Sequence, residues 1–249
     1  LQIELSLVTT SSYAPKNTSA EHMLAFYKSW EEVKEQKFEG IIITGAPIET
    51  KPYQDEVNCR ELTRLIDWSQ THVQETYNIC WGAQAALQHF YGIPKYELPQ
   101  KMFGVYPHRV LGGTDGLLRG FNDVISVPVS RHTEVRREDL PKDAGLEVLL
   151  ESTESGLCLI RDEVRRQTYM FNHLEYDTDT LANEYHRDVS SGDLIEPPAY
   201  YFPDNDPLKE PINMWRAHGS LLIVNWINDL YQATPFDLTS CLLYTSPSP

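Results

Sequence analysis

Polar and apolar positions alternate from the first residue, in "LQIELSLV" (1–8), the period expected of a half-buried β-strand. Thr18-Ser19-Ala20-Glu21 reads as a capping box and predicts a helix running to about Val33. "GIIITG" (40–45) is a short apolar run between glycines, the pattern of a strand buried on both faces. Apolar residues then recur at helical spacing from about Arg60 to Val73, with Leu62, Leu65, Ile66 and Trp68 on one face. "YNIC" (77–80) predicts a strand, and "WGAQAALQHFYG" (81–92) a helix closed by Gly92 as C-cap. This alternation implies a parallel sheet with crossover helices. Farther on, "VISVPV" (124–129), "LEVLLES" (146–152), "LCLIRDE" (157–163) and "QTYMFNH" (167–173) read as strands with short connections, so antiparallel pairs should extend the sheet. Two helices follow, about Thr178 to Ser190 and Trp215 to Tyr231. Neither an internal repeat nor a Gly/Ser-rich linker interrupts the pattern, which predicts a single domain over 1–238.

Composition narrows the function classes. With 249 residues, 41% of them hydrophobic, the chain is long enough for a packed core. A net charge of -15 argues against nucleic-acid binding, which needs clustered Lys and Arg. No apolar run is long enough to cross a bilayer, and no signal-peptide core opens the chain. The four cysteines, at 59, 80, 158 and 241, form no CxxC pair, so a reducing cytoplasm is the expected location and the sequon at Asn17 carries no weight. The first residue falls inside a strand pattern, and "TSCLLYTSPSP" (239–249) breaks helical periodicity into a Ser/Pro tail. The expectation is a chain lacking its N-terminal segment and carrying a non-native tail, with no role for Cys241.

Three places can carry chemistry. Cys80 falls between a predicted parallel strand and a helix, where open α/β sheets form ligand crevices. A helix N-terminus favours an anion and offers free backbone N–H groups, the geometry of a nucleophile elbow. A small buried core thiol is the competing reading, since free cysteine is among the most buried residue types. A thiol nucleophile needs a base, and the base an orienting partner. In "FNHLEYD" (171–177), His173 and Glu175 lie at i and i+2 just after a predicted strand, so imidazole and carboxylate can converge; alternatively His173 is a surface-loop histidine. His-x-Glu also opens a zinc-deaminase signature, but its Pro-Cys-x-x-Cys partner is absent, so no metal is expected. Glu184 and Arg187 sit at i and i+3 of a predicted helix, either as a surface ion pair or as a clamp for an amino acid's ammonium and carboxylate. Dinucleotide and triphosphate loops of the GxGxxG and GxxxxGK[ST] types are missing.

Beyond these local readings, "GIIITGAPIE", "HVQETYNICWGAQAALQHFYGIPKY", "LPQKMFGVYPHRVL", "HTEVRREDLP", "HLEYDTDTLANEYHRDV", "YYFPDNDP" and "NWINDLYQATPFDL" resemble, in order and almost without gaps to about Leu238, the homoserine O-acetyltransferase and O-succinyltransferase family. The resemblance implies an α/β, class I glutamine-amidotransferase-like (flavodoxin-like) fold, a mostly parallel sheet flanked by helices, here lacking its N-terminal strand. It also implies ping-pong acyl transfer in methionine biosynthesis, with acyl-CoA as co-substrate, L-homoserine as acceptor and no further cofactor. A homodimer is among the assemblies to expect, and neither nucleic acid nor membrane is an expected partner. Cys80 matches the family's acyl-carrying cysteine, His173 its proton acceptor and Glu175 the carboxylate that orients it. Lys101, Ser130 and Arg187 match substrate-contacting positions. Glu49, after Gly-Ala-Pro-Ile, matches the position that separates acetyl from succinyl donors; a carboxylate there repels a succinyl carboxylate, which favours acetyl-CoA. The backbone N–H of Trp81 is the expected oxyanion donor, and Glu184 the expected ammonium partner. Asn172 stands where the family usually has glycine, and asparagine is a residue type that tolerates positive φ. The alternatives are a homoserine O-succinyltransferase, a serine O-acetyltransferase, or, from a different class, an inactive fragment or non-catalytic binding protein.

Overall fold

The structure, a computed structural model, describes residues 3–9, 26–45 and 57–234, with backbone alone over 57–60. Its order is β1 (Leu7–Thr9), β2 (Tyr27–Ser29), α1 (Trp30–Val33), β3 (Phe38–Ile43), α2 (Val57–His72), β4 (Val73–Ile79), α3 (Trp81–Tyr91), β5 (Tyr96–Val110), β6 (Val124–Glu134), β7 (Leu146–Ser152), β8 (Gly156–Asp162), β9 (Gln167–Met170), α4 (Thr180–Ser190) and α5 (Arg216–Ala233). Seven strands form one sheet in the order β3-β4-β9-β8-β7-β5-β6, while β1 and β2 pair separately in parallel. β3, β4 and β9 run parallel; β8, β7, β5 and β6 continue the sheet in antiparallel pairs.

Helices cover both faces, and the two packed layers follow from the alternation of side chains along each strand. On one face Ile43, Tyr169 and Phe171 pack against Leu62 and Ile66 of α2 and Ala83, Ala86 and Leu87 of α3. On the other, Tyr77, Ile79 and Met170 meet Trp215 and the α5 residues Leu222, Trp226 and Leu230. β4 is buried along nearly its whole length, as expected for a parallel strand with helices on both sides. Gly92 takes the left-handed conformation, φ 68°, and its N–H bonds the Gln88 carbonyl, closing α3 where the pattern predicted.

Several expectations change. Among the described residues of this stretch, 27–29 are strand and separate helical Phe26 from a helical turn at 30–33, so no continuous helix runs to Val33; the capping box at that turn is Ser29 with Glu32, whose carboxylate accepts from the Ser29 N–H and Oγ at 2.7 Å. Among the described residues 3–9, strand structure is confined to Leu7–Thr9. The fifteen-residue β5 has no counterpart in the polar–apolar pattern, because Pro99, Lys101 and Pro107 break its alternation; a register shift between Glu97 and Met102 absorbs the irregularity. The capping-box candidate at 18–21, the Asn17 sequon, Glu49, Cys241 and the tail 239–249 lie outside the described residues, as does the side chain of Cys59.

Candidate active site

Two neighbouring parallel strands carry the reacting groups. In the β4–β9 register Ile79 pairs with Met170, so residue 80 and the turn after 170 emerge at the same end of the sheet. The Cys80 N–H donates to the Met170 carbonyl at 2.7 Å, and the His173 N–H to the Pro128 carbonyl of β6 at 2.9 Å. Cys80 is the N-cap of α3 with φ 52° and ψ −117°, a conformation that costs a non-glycine residue of order 1–3 kcal/mol and marks a sharp strand-to-helix turn. The thiol is half-buried. At the first two helical positions beside the thiol, the N–H groups of Trp81 and Gly82 have no intrahelical acceptor, so the turn offers an anion site. Gly45 closes it from the β3 side; a Cβ there would lie 3.0 Å from the Cys80 Cβ and 3.5 Å from the Trp81 nitrogen.

The Cys80 thiol lies close enough to the His173 imidazole to support its charge, and His173 Nδ1 faces Glu175 Oε1 at 2.6 Å. The imidazole is buried, which by itself disfavours its charge, yet the Cys80 and Glu175 contacts outweigh burial and raise His173 to about 10. Tyr176 stacks on the imidazole, ring centroids 4.2 Å apart and 17° from parallel. The turn is held from behind. Trp215 Nε1–H donates to the Tyr176 carbonyl at 2.8 Å, and Gly219 of α5 approaches Leu174 so closely that a Cβ would lie 2.3 Å from its carbonyl oxygen. Asn172 does not use positive φ. Its side chain is fully buried instead, with Nδ2 3.0 Å from His108 Nε2 on β5.

Beside this dyad lies a polar cluster. Glu184 of α4 accepts from Ser130 Oγ (2.6 Å) and Lys101 Nζ (3.1 Å) on Oε2, and from the Tyr176 hydroxyl (3.1 Å) on Oε1. Lys101 also bonds Asp188 at 3.0 Å and sits 4.0 Å over the Phe103 ring. Asp188 is held below the usual carboxylate range by Arg187 and Lys101 despite burial that pushes it up. The cluster carries both signs of charge, Lys101 and Arg187 interleaved with Glu184 and Asp188, and Tyr176 links it to the His173 ring. Among the described residues no group of His, Cys, Asp and Glu could hold a metal ion.

A family model described as homoserine O-succinyltransferase matches residues 1–236. The chain belongs to that family. It is 54% identical over 238 residues to a protein of Rhizobium leguminosarum bv. trifolii (strain WSM2304) named homoserine O-acetyltransferase, covering 96% of this chain and 78% of the relative. A protein of the same name from Agrobacterium fabrum is 53% identical over 237 residues, with 95% and 77% coverage. Among solved structures, glutamine amidotransferases of Thermotoga maritima and Methylobacillus flagellatus superpose with TM-scores of 0.57 and 0.59 at 12% identity. They cover 92% and 95% of this chain, and 99% and 97% of their own. At that identity they show the fold: α/β, of the class I glutamine-amidotransferase type.

Within this family fold, Cys80, His173 and Glu175 come together, and so do Lys101, Ser130 and Glu184. Arg187 reaches Asp188 instead of Glu184, and its side chain is 65% exposed. Three residues of the site were not singled out in the sequence for the roles they take: Tyr176, Asp188 and Asn172. Tyr176 and Asn172 directly flank the His-x-Glu motif, and Asp188 follows Lys101's other partner by one helical turn, the i,i+4 spacing that brings two side chains to one cation.

Proposed function

We propose that the chain is a homoserine O-acetyltransferase, moving an acetyl group from acetyl-CoA to the γ-hydroxyl of L-homoserine through a thioester on Cys80. The observation that carries this reading is the strained Cys80 elbow beside a buried, Glu175-oriented His173. The acetyl donor is favoured by the relatives' name and by the charge of Glu49. Family membership supports a role in methionine biosynthesis; cysteine usage, and the lack of a helix long and apolar enough to cross a membrane among the described residues, support a cytoplasmic enzyme.

The chemistry follows from what raises His173. In the free enzyme Cys80 and Glu175 keep its imidazolium charged to about pH 10. Cys80 attacks the acetyl carbonyl as the thiolate, and the Trp81 N–H stabilises the developing oxyanion. Collapse of the tetrahedral adduct expels CoA thiolate, which takes the proton from His173. Cys80 is then a neutral thioester and no longer supports the imidazolium, so His173 stays neutral as a base. Homoserine enters with its carboxylate toward Arg187 and its ammonium toward Glu184, within reach of Lys101 and Ser130. His173 removes the γ-hydroxyl proton as that oxygen attacks the acetyl-enzyme, and Cys80 leaves as thiolate beside the restored imidazolium. One ring thus serves as acid in the first half-reaction and base in the second.

Mass spectrometry of the Cys80 peptide after exposure to each acyl-CoA tests the proposal. Acetyl-CoA alone should leave one acetyl group on Cys80, released on adding homoserine, and Cys80→Ser should lose all turnover. Labelling by succinyl-CoA and not acetyl-CoA would overturn the donor assignment.

A further inference from the structure

Tyr176 touches both halves of the site. Its ring lies 4.2 Å from the His173 ring centroid and nearly parallel to it, and its hydroxyl donates to Glu184 Oε1 at 3.1 Å. The same carboxylate is fixed on its other oxygen by Ser130 and Lys101, so the tyrosine contact sets the rotation that those two leave free. The backbone that carries the ring is itself held, because the Tyr176 carbonyl accepts from Trp215 Nε1. We propose that Tyr176 is a positioning residue that couples the two half-reactions, its π face supporting the protonated His173 and its hydroxyl aiming Glu184 at the incoming amino acid. The inference rests on the acyltransferase reading for the second of these roles and on geometry alone for the first.

Two separable effects are at work. An aromatic face over an imidazolium favours the charged form, and burial strengthens that attraction. The groups facing His173 are Cys80 from the N-terminus of α3 and Glu175 and Tyr176 from its own turn, with Glu184 of α4 beyond the tyrosine hydroxyl. Removing the ring therefore subtracts one supporting contact and leaves the other charges in place. A hydroxyl bonded to a carboxylate is a charge-assisted bond, and losing it lets Glu184 rotate between partners. That loss leaves the stacking intact.

Two variants read the parts separately. In Tyr176→Phe, acetylation of Cys80 by acetyl-CoA alone should stay within about twofold of the parent, while KM for homoserine rises about tenfold, the size of one hydrogen bond to a charged group. In Tyr176→Leu, the NMR titration midpoint of the His173 ring should fall by about half a pH unit, from the loss of one cation–π contact, and acetylation should slow as well. Tyr176→Phe should leave that midpoint where it was. An unchanged homoserine KM in Tyr176→Phe, or an unmoved His173 midpoint in Tyr176→Leu, would overturn the coupling role. Because the NMR titration needs no acyl donor, it decides the ring's part even if acetyl-CoA fails to label the parent enzyme, which would instead count against the transferase reading. The Phe variant is close to isosteric and keeps the test valid should the Leu variant fold poorly.

Discussion

His108 and His173 stand on either side of Asn172 and are driven in opposite directions. His108 is fully buried without a carboxylate beside it, and burial, aided by Arg131, lowers it to about 4 against the support of the Tyr106 carbonyl. Its Nδ1 lies 2.9 Å from that carbonyl, so Nδ1 carries the proton and Nε2 accepts from Asn172 Nδ2 and Ser155 Oγ, at 3.0 and 3.2 Å. His173 is similarly hidden but has a thiol and a carboxylate within reach, and it stays charged. Asn172 thus ties a neutral, rigid histidine to the turn bearing the reactive one. Asn172→Ala should lower stability by about 1–3 kcal/mol through the lost buried hydrogen bond. It should also reduce kcat, checked by urea unfolding and steady-state rates on the same preparation. A second buried thiol shows that sequence type alone does not make a nucleophile. Burial in the core pushes Cys158 up to about 12, an inert group.

At the scale of elements, the site is built by pairing β4 with β9. Their register brings Cys80 and His173 to one sheet end, and α3 begins where the thiol needs an anion-stabilising terminus. β6 contributes from the other side: Pro128, on the strand at the sheet's edge where a missing N–H is tolerated, offers its carbonyl to His173, and Ser130 two residues on points to Glu184. α5 acts as the backstop, packed on the Leu174 carbonyl at Gly219. Gly219→Ala poses two opposed effects. Helix propensity favours alanine by about 1 kcal/mol. The clash is with backbone rather than a flexible side chain, and overpacking costs about 1–3 kcal/mol. The clash should win, giving net destabilisation in urea together with slower Cys80 acetylation, because relief comes from moving the turn that carries His173.

For the whole molecule, the two histidines set opposing pH limbs. His108 is depressed from its ordinary 6.5, so the unfolded chain binds its proton first; its contribution is complete above pH 6.5 and is lost as pH falls through about 4. His173 is raised, so its contribution is complete below pH 6.5 and is lost as pH rises through about 10. Together they place a stability maximum near pH 6.5, with slopes of up to about 1.4 kcal/mol per pH unit on each side. Urea unfolding at several pH values should show His108→Gln flattening the acid limb and His173→Gln the alkaline one.

Much of this was legible in the chain itself. The glycine-bounded apolar run at 40–45, the helix closed by Gly92 and the Cys80 junction are local patterns, set by side-chain period and turn chemistry within a few residues. So is the i,i+2 pairing of His173 with Glu175. β5 was not legible, since its prolines and Lys101 hide the alternation that cross-strand pairing with β6 restores. Nor was the carboxylate arrangement around Lys101, where a cation from a strand meets Glu184 and Asp188 of a helix far along the chain. The sequence determined which groups exist and which element each belongs to, because those depend on neighbouring residues. Only tertiary structure decided which of them meet and which histidine keeps its proton, because contact between distant segments and burial from water are properties of the packed sheet and its helices.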